Sequence, residues 1–269
     1  MAVTGATGAP TLSRPSRAQL LDVGIAGGLL AGAVVGWWWS VRMADMGSMG
    51  TAGLMGSADP IGAGIQPMSM ATYVGGWVAM IAAMMFPAIS PVVRLYARAA
   101  GKGTVAPLPI FVAGYLVVWG SIGIPAYFAW RALAGPLDGG TAWAGRLAGG
   151  TLLAAAVYQL TPLKSVCLRH CRSPISFFVR FAGNSATPSG AVRLGATHGA
   201  FCLGCCWALM AVLVAVGTMN IVWMAALAVV IFVEKVAPRG QMLAAVAAAV
   251  FAALGAVLLV APSTTAVLT

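Results

Sequence analysis

The 269 residues are 61% hydrophobic and only 7% charged, with a formal net charge of +10 and a mean hydropathy of +0.94. That composition excludes a soluble globular domain and indicates an integral membrane protein. The positive charge does not imply nucleic acid, because the basic residues lie in short stretches between apolar runs, as membrane topology requires.

Residues 1–18 are rich in Ala, Gly, Thr, Pro and Ser and read as a disordered cytoplasmic tail. The apolar run over 20–40 is long enough to cross a hydrocarbon core of about 30 Å at about 1.5 Å per residue. It is too long for a cleaved signal segment, and Trp37, Trp38 and Trp39 at its far end resemble an interfacial belt. Residues 41–70 then form an outer loop carrying Met43, Met46, Met49, Met55, Met68 and Met70, a candidate collecting surface for soft metal ions.

Further helices are predicted over 71–93, 108–132 and 142–163. A polar, basic segment on the cytoplasmic side covers 164–192. The last three helices are predicted over 193–216, 219–236 and 240–261, with a tail over 263–269. Tight turns at Gly217-Thr218 and Pro238-Arg239-Gly240 imply that these last three pack as consecutive antiparallel neighbours. The fold class is therefore all-α: a single polytopic domain over 19–262 with about seven transmembrane helices.

Orientation follows from counting. With the N-terminus cytoplasmic, twelve of the fifteen Lys and Arg residues fall inside, and only Arg42, Arg131 and Arg146 fall outside. An odd number of spans then puts the C-terminus on the outer side. The expected location is a bacterial inner (cytoplasmic) membrane, crossed several times.

The chemistry concentrates in the fifth predicted helix, in His198-Gly-Ala-Phe-Cys-Leu-Gly-Cys-Cys-Trp-Ala-Leu-Met210. At roughly 100° per residue, His198, Cys202 and Cys205 fall on one stripe, with Cys206 beside it. A helix facing only lipid has no use for a column of imidazole and sulfur. The alternative is that these cysteines are small apolar fillers, with Gly195, Gly199 and Gly204 permitting close packing.

Depth links this stripe to other spans. Cys202, Cys205 and Cys206 lie about 14–20 Å from the cytoplasmic face, and Met80, Met84 and Met85 about 13–21 Å from the outer face. Those are the same layer. Glu234, the one carboxylate in the predicted spans after the first, lies close to the depth of His198; intramembrane acids face the protein interior or pair with a neighbouring base, here Lys235 or Arg239. These groups converge if the second, fifth and sixth predicted helices adjoin.

Thiolate, thioether and imidazole together suit copper(I) best and zinc second. His198 and Cys205 are about 10 Å apart along the axis, so one ion takes an i,i+4 pair and draws its other ligands from elsewhere. Cys167 and Cys171 form a second group at the cytoplasmic boundary, on one face if the fourth helix continues. Arg169 and Arg172 beside them favour thiolate character. His170 points elsewhere on such a helix.

Met80-Ile-Ala-Ala-Met-Met-Phe-Pro87, Thr161-Pro-Leu-Lys with Cys167 and Cys171-Arg-Ser-Pro174, His198-Gly with Cys202, Cys205-Cys-Trp207 and Met210, and Glu234-Lys235 occur as separated blocks in order. Together they resemble a bacterial family of predicted metal-binding integral membrane proteins, a family of unknown function. The resemblance covers roughly 70–260 and implies that these positions work as one metal-binding unit.

Three functions fit these features. The first is binding of a soft metal, copper before zinc, for handling, translocation or delivery to an acceptor protein. The second is a membrane thiol-disulfide oxidoreductase using Cys205-Cys206 or Cys167/Cys171. The third is a structural subunit of a membrane complex, or a homo-oligomer, whose sulfurs only pack. No phosphate-binding loop, Ser/His/Asp set or basic–aromatic strip is present, which disfavours hydrolytic and nucleotide-dependent enzymes and nucleic-acid binding.

Overall fold

The computed structural model describes residues 17–53, 69–100, 102–103, 106–138, 142–216 and 221–262, and among these there is no strand. The helices are α1 (Arg17–Gly53), α2 (Met70–Ala100), α3 (Leu108–Asp138), α4 (Ala142–Gln159), α5 (Pro162–Arg172), α6 (Pro174–Phe181), α7 (Pro188–Val216), α8 (Ile221–Val236) and α9 (Gly240–Val260). Apolar spans long enough to cross a membrane lie in α1, α2, α3, α7 and α9, and α4 with α5 makes a sixth if the bent pair is taken as one span. The sixth predicted helix appears as α8, whose 16 described residues give a rise of about 24 Å, short of a full core.

Several boundaries differ from the sequence expectation. The first helix continues to Gly53, so the start of the expected methionine loop is helical. The side chains of Met43, Met46, Met49, Met55 and Met68 lie outside the described residues, as do residues 1–16 and 263–269. Met70 is exposed at the start of α2. That helix runs past Pro87 and Pro91 to Ala100, beyond the expected end at 93.

The larger difference is at residues 159–188. The expected single helix over 142–163 ends at Gln159, and α5 leaves it at an angle of 67°. Thr161 precedes a proline, which disfavours helical backbone, and it adopts φ −72°, ψ 149°. Its hydroxyl accepts from the Lys164 amide at 3.3 Å, with Pro162 in the first turn of α5, an N-terminal cap that starts a new helix rather than extending the old one. Ser173-Pro174 again places a proline in the first turn of a new helix, α6, here without a side-chain cap. The segment expected as a basic cytoplasmic stretch is thus largely helical, with Cys167, Cys171 and Phe177 buried.

The predicted fifth, sixth and seventh helices do touch in chain order, as α7 on α8 and α8 on α9. Each outer member nevertheless has a more extensive partner elsewhere, α7 on α3 and α9 on α4. The α3–α7 crossing is close because both helices present glycine. A Cβ on Gly195 would collide with the Phe111 carbonyl oxygen, and one on Gly114 with that of Val192. Small residues let transmembrane backbones approach in this way. Since α7 also meets α4, α5 and α8, its polar stripe is enclosed by protein.

Candidate metal centre

On α7, His198, Cys202, Cys205 and Cys206 are all buried, at 0–2% exposure. The thiols of Cys205 and Cys206 both donate to the Cys202 carbonyl oxygen, at 3.1 and 2.8 Å. The i, i+3, i+4 spacing therefore gathers three sulfurs around one turn.

Because α5 folds back on α7, Cys171 Sγ stands 3.8 Å from Cys205 Sγ. That is far beyond a disulfide bond of about 2.05 Å. Two sulfurs bound to one tetrahedral ion at about 2.3 Å each stand about 3.8 Å apart. Cys167 is also buried, with its sulfur against the backbone of Gly204, where even a Cβ would lie 2.6 Å from it. The Gly204 carbonyl accepts from the Tyr158 hydroxyl. Gly195, Gly199 and Gly204 do serve close packing, and the cysteine stripe still faces inward.

The end of α8 contributes two opposite charges in succession. Glu234 and Lys235 are separated by about 100° around the helix, and they face different neighbours. The Glu234 carboxylate accepts from Lys164 Nζ at 2.7 Å and from Gln159 Nε2 at 2.8 Å; Lys164 also donates to Gln159 Oε1. Lys164 and Glu234 are 1% and 3% exposed. The base that pairs with Glu234 is thus Lys164, from the α4–α5 break, and not Lys235 or Arg239. Arg172 ties α5 to the same corner by donating to the carbonyls of Glu234, at 2.7 Å, and Pro238, at 3.0 Å.

Lys235 turns the other way. Its ammonium donates to Cys202 Sγ at 3.0 Å and to Met85 Sδ at 3.5 Å. Tyr115 Oη lies 3.2 Å from the same Cys202 sulfur. Helices α2, α3, α5, α7 and α8 thus each supply a side chain to one sulfur-lined centre: Met85, Tyr115, Cys171, the α7 cysteines and Lys235. Met80 and Met84 are buried on α2, but it is Met85 whose sulfur reaches Lys235.

His198 is enclosed by aromatic rings, with centroids of Phe177, Tyr115 and Phe111 at 5.1, 6.0 and 6.3 Å. Neither ring nitrogen has a hydrogen-bond partner among the described residues. Buried polar nitrogens are nearly always paired, and these two stand out as exceptions. His170 is elsewhere: its ring stacks on Phe201 at 4.3 Å and its Nδ1 contacts the Val166 carbonyl at 2.9 Å.

Sequence reasoning missed Lys235 as a cluster member, and with it Tyr115, Lys164 and Gln159. The adjacent Glu234-Lys235 was the available signal, since neighbouring helical residues cannot share one face. Among the described residues, no three His, Cys, Asp or Glu side chains converge tightly enough to hold an ion. The donor set fits a soft ion by its chemistry, and it includes a sulfur pair from two helices, Cys171 and Cys205.

Residues 74–258 match a family model described as PpoB2, a copper chaperone. Comparison with curated proteins and with solved structures gave no match.

Proposed function

The chain belongs to this copper chaperone family, and from that premise we propose that it carries copper inside the helix bundle and delivers it to an acceptor protein. The cargo ligands are drawn from Cys171, Cys202, Cys205 and Cys206, with Met85 and His198 alongside. The observation that carries this is the Cys171–Cys205 sulfur pair, 3.8 Å apart and contributed by two different helices. Two buried thiols in contact from different helices are a small side-chain rotation away from sharing one ion.

The remaining sequence candidates take lesser parts. Cys167, Met80 and Met84 are buried without a ligand role, and Glu234 holds the α4–α5 corner through Lys164. Zinc is the second choice for the cargo, since thiolates also bind it, but thioether and low coordination favour copper. The apolar spans and the positive-inside asymmetry support a multi-pass protein of the bacterial inner membrane with a cytoplasmic N-terminus.

Metal content of the detergent-purified chain after anaerobic loading with copper(I) tests the proposal. A C171S/C205S variant is expected to lose most of the bound copper; equal content in the two proteins overturns it. One observation also favours a redox reading, because the same two sulfurs are near enough to be linked by an oxidant. Thiol trapping separates the two: a Cys171–Cys205 disulfide that forms and is reduced during turnover supports an oxidoreductase, and permanently free thiols support the carrier.

A further inference from the structure

Lys235 is 6% exposed, and a buried ammonium needs a countercharge. Glu234 is the only acidic residue whose side chain is among those described, and it is held by Lys164 and Gln159. The groups that face Lys235 are sulfurs, Cys202 at 3.0 Å and Met85 at 3.5 Å. Cys205 and Cys206 share the turn of α7 that carries Cys202, and Cys171 Sγ lies 3.8 Å from Cys205 Sγ. A single positive charge is therefore built into the sulfur cluster, with no carboxylate among the described residues to neutralise it.

We propose that Lys235 is the counter-cation of the bound cargo and sets the centre's preference for a monovalent over a divalent soft ion. This rests on the sulfur cluster being the cargo site. The argument is one of charge. A monovalent ion between two thiolates leaves one net negative charge, which Lys235 cancels. A divalent ion between the same thiolates is already neutral, and Lys235 is then an unbalanced charge in a low-dielectric interior. The proposed site has two thiolates, Cys171 and Cys205, the sulfur pair that meets across helices; a third thiolate at the centre would reverse the preference. At about 4 Å and low effective dielectric, such an imbalance outweighs differences in ligand softness.

The test uses the full chain in detergent, without oxygen, as wild type, K235M and K235R. Each is titrated with silver(I) and with cadmium(II), soft ions that differ in charge, against a competing chelator. K235M is expected to shift the silver-to-cadmium affinity ratio at least about tenfold toward cadmium, while K235R keeps the wild-type ratio. An unchanged ratio in K235M overturns the role of Lys235 while leaving the cargo site standing, provided C171S/C205S lowers silver binding. Wild type that binds neither ion, or C171S/C205S that binds like wild type, removes both. X-ray absorption of wild type loaded with copper(I) gives a readout that needs no variant. Two sulfur neighbours support the proposal, and three or more overturn it.

Discussion

At the scale of single residues, the buried charges do different work. Lys164 and Glu234 satisfy each other, so removing one partner leaves the other stranded. K164M is expected to destabilise the protein by about 3 kcal/mol. The double variant K164M/E234L should recover most of that loss, because a well-packed apolar pair replaces a buried ion pair at little cost. Thermal unfolding in detergent checks both, and a double variant no more stable than the single would contradict the assignment. His198 gives the opposite expectation. Its nitrogens have no partner among the described residues, so H198F should hold or raise stability by about 1 kcal/mol, since an unsatisfied buried group is removed. Copper content falls in the same variant if the imbalance at this ring exists for the sake of a ligand. Unchanged copper would make His198 a packing residue.

At the scale of elements, the α4–α5 break decides whether there is a site at all. Without it, Cys167 and Cys171 would continue outward along the line of α4 and never meet α7. The break comes from Thr161 and Pro162 acting together, one capping the new helix and the other forbidding the old one. In a background whose other cysteines are serine, mild oxidation is expected to link Cys171 to Cys205, and P162A should cut that yield severalfold by letting the helix straighten. Equal yields would mean that packing against α7, not the proline, holds the bend. The α3–α7 crossing makes a second such requirement. G195L would drive a side chain into the Phe111 carbonyl and is expected to cost about 3 kcal/mol, read as loss of monodisperse protein after extraction.

At the scale of the whole molecule, the bundle is enclosed around α7 and turns its apolar side chains outward. Val117, Val179 and Val222 are among the large hydrophobics left exposed, as a bilayer allows and water does not. The family match begins at residue 74 and so leaves out α1, which packs on α2 and, among the described residues, supplies none to the sulfur centre. The number of spans decides on which side the chain ends. Reporter fusions after Gly53 and after Thr269 are expected on the outer side of the membrane in both cases, as an odd count from a cytoplasmic N-terminus requires. A reporter after Thr269 found in the cytoplasm would mean that α8, with its 16 residues, dips into the core without crossing it.

The sequence alone determined the helical membrane class and located most of the apolar helices, α7 with its cysteines among them. Hydropathy and a rise of 1.5 Å per residue are local properties, readable without knowing what packs on what. It also marked both cysteine pairs as chemistry. Only the tertiary structure decided that Cys171 meets Cys205, that Met85 rather than Met80 or Met84 reaches the centre, and that Glu234 and Lys235 serve separate clusters. Each depends on a rotation or a bend, and one residue of helical phase turns a side chain by about 100°, which periodicity along a nearly all-apolar chain does not reveal.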